Sequence, residues 1–125
     1  MYKAKIVSTN KEITGKQKIM LKDTTSAIRL DEATQEAAVI IKPTLYAHLH
    51  IENDNSESGE YDNYIFMDEE TGEKYVTGSA SLWRSFMDIV EEMEDAGDDE
   101  DWAIKIYRVP SKNYKGKDFL TCSII

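Results

Sequence analysis

Ser79-Ala-Ser-Leu-Trp-Arg-Ser-Phe-Met-Asp-Ile-Val-Glu-Glu-Met-Glu-Asp-Ala-Gly97 is the stretch on which the fold turns. Leu82, Trp83, Phe86, Ile89, Val90 and Met93 recur at offsets 0, 1, 4, 7, 8 and 11, which is one face of an α-helix. Ser79 or Ser81 can cap the first turn, Gly97 can close the last in the left-handed region, and no proline interrupts. Trp83 and Phe86 are therefore expected as core anchors. No other segment shows a convincing helical period, so the remainder reads as strands and loops.

Immediately upstream, Tyr61 to Met67 and Lys74 to Thr77 flank Asp68-Glu-Glu-Thr-Gly-Glu73, the form of a β-hairpin whose turn uses Gly72 at positive φ. Residues 52–60 are all polar and read as a flexible loop. Before them, 37–51 read as a long strand interrupted near Pro43, with Leu45, Ala47, Leu49 and Ile51 on one face and Tyr46, His48 and His50 on the other. Two short strands are expected at the start, one over 2–8 and one running extended from Glu12 to Leu21. Beyond the helix, Trp102 to Val109 and Asp118 to Ile125 alternate as two closing strands around the loop Pro110-Ser-Lys-Asn-Tyr-Lys-Gly-Lys117.

Strands, a hairpin, one helix and two closing strands are the order an OB-fold requires, its helix plugging the barrel end. The expectation is a mostly β protein: a five-stranded OB-fold-like barrel with one amphipathic α-helix between the third and fourth barrel strands, all 125 residues forming one domain.

A net charge of −9 argues on its face against a nucleic-acid ligand, but the charge is segregated. Residues 1–30 carry a local balance of +5, residues 31–101 carry −18, and residues 102–125 carry +4. If the two ends are neighbours, the molecule has one basic face. The acidic run Glu91, Glu92, Glu94, Asp95, Asp98, Asp99, Glu100 and Asp101 loads the helix C-terminus with charge that the macrodipole disfavours. A solvated face that repels nucleic acid, or a docking surface for a basic partner, would explain it. No apolar run reaches the length of a membrane span and no basic start precedes an apolar stretch, so a cytoplasmic protein without membrane contact is expected.

Catalytic inventories come up short. There is no glycine-rich phosphate loop and no nucleophile placed beside a histidine, so an enzyme is not expected, nor a cofactor. His48 and His50 share one strand face, but a zinc site would need Glu52 or Asp54 to converge on them, and nothing in the sequence says they do; no metal is expected. Cys122, between Leu120 and Ile124, reads as a buried structural thiol.

The 110–117 loop is the most informative stretch, placing three lysines and a tyrosine around Gly116. Lysines there meet phosphates while Tyr114 offers a ring to a base, and with no helix free to enter a major groove the constellation favours single strands over duplex. The expected binding surface is Lys16, Lys18, Tyr46, His48, Lys105, Tyr107, Arg108, Lys112, Tyr114, Lys115 and Lys117, charged members gripping phosphate and rings stacking on bases.

The segments Tyr64-Ile-Phe-Met-Asp-Glu-Glu-Thr-Gly-Glu-Lys-Tyr-Val-Thr-Gly-Ser79, Ile104-Lys-Ile-Tyr107 and Lys115-Gly-Lys-Asp-Phe-Leu120 resemble the small OB-fold single-stranded-DNA-binding proteins of tailed bacteriophages. The likeness extends more weakly to Tyr2-Lys-Ala-Lys-Ile6 and Gly15-Lys-Gln-Lys-Ile19, and so covers most of the chain. It implies a viral protein that coats exposed strands during phage DNA replication or recombination, in the host cytoplasm, without reading sequence. The chain departs from the broader bacterial pattern by ending in Cys122-Ser-Ile-Ile125 rather than in an acidic tail; the run 91–101 is the remaining candidate for meeting replication or recombination proteins. Either a monomer or a homodimer is compatible with this. The rival expectation is an acidic DNA mimic, or a protein-docking inhibitor of a host nucleic-acid enzyme, against which the segregated basic ends speak.

Overall fold

In the computed structural model, residues 2–55, 59–97, 101–112 and 116–125 are described. The protein is mostly β. Its contacts divide into two compact units, Met1–Arg29 with Pro43–Gly78 and Leu30–Lys42 with Ser79–Ile125, so the chain passes between them three times.

The first unit is built on an open five-stranded sheet. Its elements are β1 (Tyr2–Thr9), α1 (Gly15–Lys22), β2 (Ile28–Arg29) and, after the excursion through the other unit, a long strand Pro43–Asn53 and the hairpin Glu60–Asp68 and Lys74–Thr77. Counting β3 as Val39–Ile41, these last three are β4, β5 and β6. The order is β1-β4-β5-β6-β2, antiparallel throughout except that β2 runs parallel to β6. Period-two alternation along β4 puts Leu45, Ala47, Leu49 and Ile51 inside, where they pack with Leu21, Ile65 and Val76. Each Leu, Ile or Val side chain among them contributes about 1.5–3 kcal/mol on burial. Asp68 to Glu73 closes the β5–β6 turn, with Gly72 at φ 73° and the Asp68 carboxylate accepting from the Glu70 amide and the Thr71 hydroxyl.

One expected strand is a helix. The segment from Glu12 to Leu21 does not run extended: residues 15–22 form α1. Thr14 and Gln17 make a reciprocal capping box, the Thr14 hydroxyl accepting from the Gln17 amide at 3.2 Å and the Gln17 side chain accepting from the Thr14 amide at 2.8 Å. That pair satisfies two amides a strand would have left to a neighbour, and Lys, Gln, Met and Leu are good helix formers. Leu21 enters the core, leaving Ile19 and Met20 exposed.

The second unit holds α2 (Leu30–Ala33), β3, α3 (Ala80–Ala96), β7 (Ile104–Pro110) and β8 (Asp118–Ile124), the strands ordered β3-β7-β8 and all antiparallel. The helix predicted from the apolar period is α3. Ser79 caps it by accepting from the Leu82 amide at 3.1 Å, and Gly97 ends it at φ 61°. Leu82, Phe86 and Val90 are its buried face; Phe86 is fully buried, with ring centroids 5.7 Å from Trp83 and 6.3 Å from Trp102.

Neither sheet closes into a barrel. Two local events account for this. The segment expected as the second strand is spent on α1, and the strand expected over 37–51 breaks at Lys42, its first part pairing with β7 and its second with β1 and β5. Among the described residues no helix is long and apolar enough to cross a membrane.

Candidate nucleic-acid interface and an imidazole–carboxylate cluster

Alternation along β7 sends Ile104 and Ile106 into the interior, fully buried, and leaves Lys105 and Tyr107 on the opposite side. Cross-strand register then decides their neighbours: Lys105 pairs with Ile40 of β3 and Ser123 of β8, Tyr107 pairs with Thr121, and Val109 pairs with Phe119. This side of the three-stranded sheet therefore carries Ile40, 59% exposed, and Phe119, 41% exposed, beside the Lys-Tyr pair. The Lys105 ammonium lies 6.0 Å from the Tyr107 ring centroid, and the Tyr107 hydroxyl lies 2.8 Å from Ser123 Oγ. At the end of β7 the Ser111 amide donates to the Lys117 carbonyl at 2.9 Å and Gly116 adopts φ 80°, which holds exposed Lys112 and Lys117 at the mouth of the loop.

Arg108 has the other parity. Its Nη1 meets Asp118 Oδ1 at 2.8 Å and its Nη2 donates to the Asp31 carbonyl, so the guanidinium staples β7 to β8 and α2 instead of facing outward with Lys105. Tyr114 and Lys115, both expected in the binding surface, lie outside the described residues. The remaining four expected residues belong to the first unit: Lys16 and Lys18 are exposed on α1, and Tyr46 and His48 stand half-buried on β4. The structure thus gathers Lys105, Tyr107, Lys112 and Lys117 in the second unit. Phe119 was missed; its place beside them follows only once the β7–β8 register is known.

On the first unit, β4 and β5 oppose His48 with Tyr64, His50 with Asp62 and Glu52 with Glu60. His48 Nε2 lies 2.9 Å and His50 Nδ1 3.1 Å from the same carboxylate oxygen, Asp62 Oδ1, while His50 Nε2 lies 3.4 Å from Glu60 Oε1. Hydrogen bonding to Asp62, then to Glu60, raises the His50 pKa above its ordinary value; the same bonds from His48 and His50 hold Asp62 below the usual carboxylate range. Glu52 brings a carboxylate oxygen within 4.8 Å of the His50 and Glu60 donor atoms, a convergence that depends on the cross-strand register.

Burial pushes the Cys122 thiol up to about 11. A cavity of about 570 Å³ in the first unit is lined by Met20, Leu21, Leu45 and Met67 together with Lys11 and Lys74, and the Lys74 ammonium donates to the carbonyls of Met20 and Asp23.

No protein family, curated protein or solved structure matches the chain.

Proposed function

We propose that the protein binds single-stranded DNA without reading sequence, on the side of the β3-β7-β8 sheet that carries Lys105 and Tyr107. The observation that carries this reading is the grouping of Lys105, Tyr107 and partly exposed Phe119 on one side, with Lys112 and Lys117 at the loop that follows. Rings stack on any base, each for about 1–3 kcal/mol, and ammonium groups bind phosphate as point charges. Arg108, the one side chain of this strand able to fork onto a base edge, is engaged by Asp118 and Asp31. A small open sheet offers the stacking surface that an OB-type strand face offers, so the reading does not depend on a closed barrel. Strand protection during phage replication or recombination is the setting implied by the sequence resemblance.

The test is an anisotropy titration with labelled poly-dT, at low and then moderate salt, against duplex of equal length. Salt-sensitive binding to the single strand alone supports the proposal; no binding, or equal binding to duplex, overturns it.

One observation favours the acidic-mimic alternative. The last turns of α3 expose Glu91, Glu92, Glu94 and Asp95 with no basic residue in the final turn. A chain that ignores both oligonucleotides and is captured by a basic nucleic-acid enzyme would move the assignment there.

A further inference from the structure

We propose that His50, Glu52 and Glu60 form a binding site for a divalent transition-metal ion of the zinc class, with Asp62 orienting the histidine. One donor atom from each of the three lies within 4.8 Å of the others. Zinc takes nitrogen and carboxylate oxygen at about 2.0–2.2 Å in a tetrahedron, which sets its ligand atoms about 3.4 Å apart. His50 Nε2 and Glu60 Oε1 already stand at 3.4 Å, so only the exposed Glu52 carboxylate has to swing inward.

The strand geometry explains why the three meet. His50 and Glu52 are two residues apart on β4 and share a face, and the antiparallel register brings Glu60 directly opposite Glu52. Asp62, directly opposite His50, accepts at 3.1 Å from its Nδ1. A proton held on Nδ1 by Asp62 leaves Nε2 as the ligand atom, where the ion takes the place of the proton shared with Glu60, the carboxylate–histidine–metal arrangement that metal-ligating imidazoles use. His48 shares the Asp62 oxygen through its Nε2 and is thereby turned to the orienting carboxylate, not to the ion.

The donor set also selects the ion. Two carboxylates neutralise a divalent charge, and an imidazole nitrogen suits zinc, cobalt or nickel far better than magnesium or calcium, which favour all-oxygen shells. Three protein ligands leave a fourth position for water. Lys5 pairs with His50 and Lys3 with Glu52 across the β1–β4 ladder, so two cations border the carboxylates and set an upper limit on affinity.

The experiment is calorimetric titration of the full chain with ZnCl₂ in a non-chelating buffer, paired with NMR of the histidine rings. The expected result is one zinc per chain with the His50 Nε2 resonance moving on saturation, loss of binding in His50→Gln, and a roughly 10–100-fold weakening in Asp62→Asn. His48→Gln, checked by its amide spectrum to be folded, should retain the stoichiometry and the His50 response. Undiminished zinc affinity in His50→Gln overturns the proposal, as does a His50 ring that ignores saturating zinc. Equal loss in His48→Gln and His50→Gln also overturns it, in favour of a site between the two imidazoles. Magnesium competing on equal terms with zinc does so too, because it would assign the binding to carboxylates alone.

Discussion

The Lys105 ammonium stands 6.0 Å from the centre of the Tyr107 ring, two residues along the same strand and on the same side of the sheet. A ring bordered by a cation is suited to a base carrying its own phosphate, because stacking and charge act on one nucleotide together. Tyr107→Ala is expected to cost about 1–3 kcal/mol of single-strand affinity. The companion variant Phe119→Ala should lose binding in the same assay, and circular dichroism should show both variants folded.

Removing lysines acts differently. Each of Lys105, Lys112 and Lys117 that contacts phosphate contributes roughly 0.7 to the slope of log affinity against log salt. The triple alanine variant should flatten that slope by about 2, whereas Lys16 and Lys18, on α1 of the other unit, should leave it unchanged.

Arg108→Ala separates structure from binding. It deletes the exposed bonds to Asp118 and to the Asp31 carbonyl, for an expected loss of about 0.2–1 kcal/mol in urea unfolding. Oligonucleotide affinity of the folded variant should stay close to that of the parent.

Helix α1 rests on its capping box, so Thr14→Ala should cost about 1 kcal/mol. The matching readout is faster amide exchange across 15–22, with the β4–β5 ladder unaffected.

The His50–Asp62 pair across β4 and β5 makes the stability of the metal-free protein depend on pH. His50 has a raised folded pKa, so its stabilisation is complete below the unfolded value and fades as pH rises through the folded one; Asp62 has a lowered folded pKa, so its contribution is complete above the unfolded value and is lost as pH falls through the folded one. The interaction is strongest between those limits, from mildly acidic conditions to about neutrality. NMR titration should place the His50 midpoint above about 6.5, and Asp62→Asn should bring it down.

Local signals carried what was legible before the structure. The α3 period, the Gly72 turn and the alternation of β7 and β8 each depend on residues close in sequence, and each is where the sequence placed it. The capping box Thr14–Gln17 is also local, yet 12–21 follows the alternating strand 2–8 across a short polar break and lacks a clear helical period, so an extended continuation is what the sequence suggests there. Sheet membership was not legible, because nothing in Val39 to Ile51 says that its halves pair with partners in different sheets. The binding surface divides the same way. Lys105 and Tyr107 follow from alternation alone, while Phe119, and the convergence of Glu52 and Glu60 on His50, needed cross-strand register.

The split of the chain between its two units has a consequence during synthesis. Among the described residues Val39 to Ile41 pair with residues 104–106, so β3 is made about 60 residues before its partner. At about 5–20 residues per second the nascent chain carries a bare Val-Ile-Ile strand for roughly 3–12 s. In that interval the ribosome-bound chain presents an unpaired strand edge that its own later half has yet to cover.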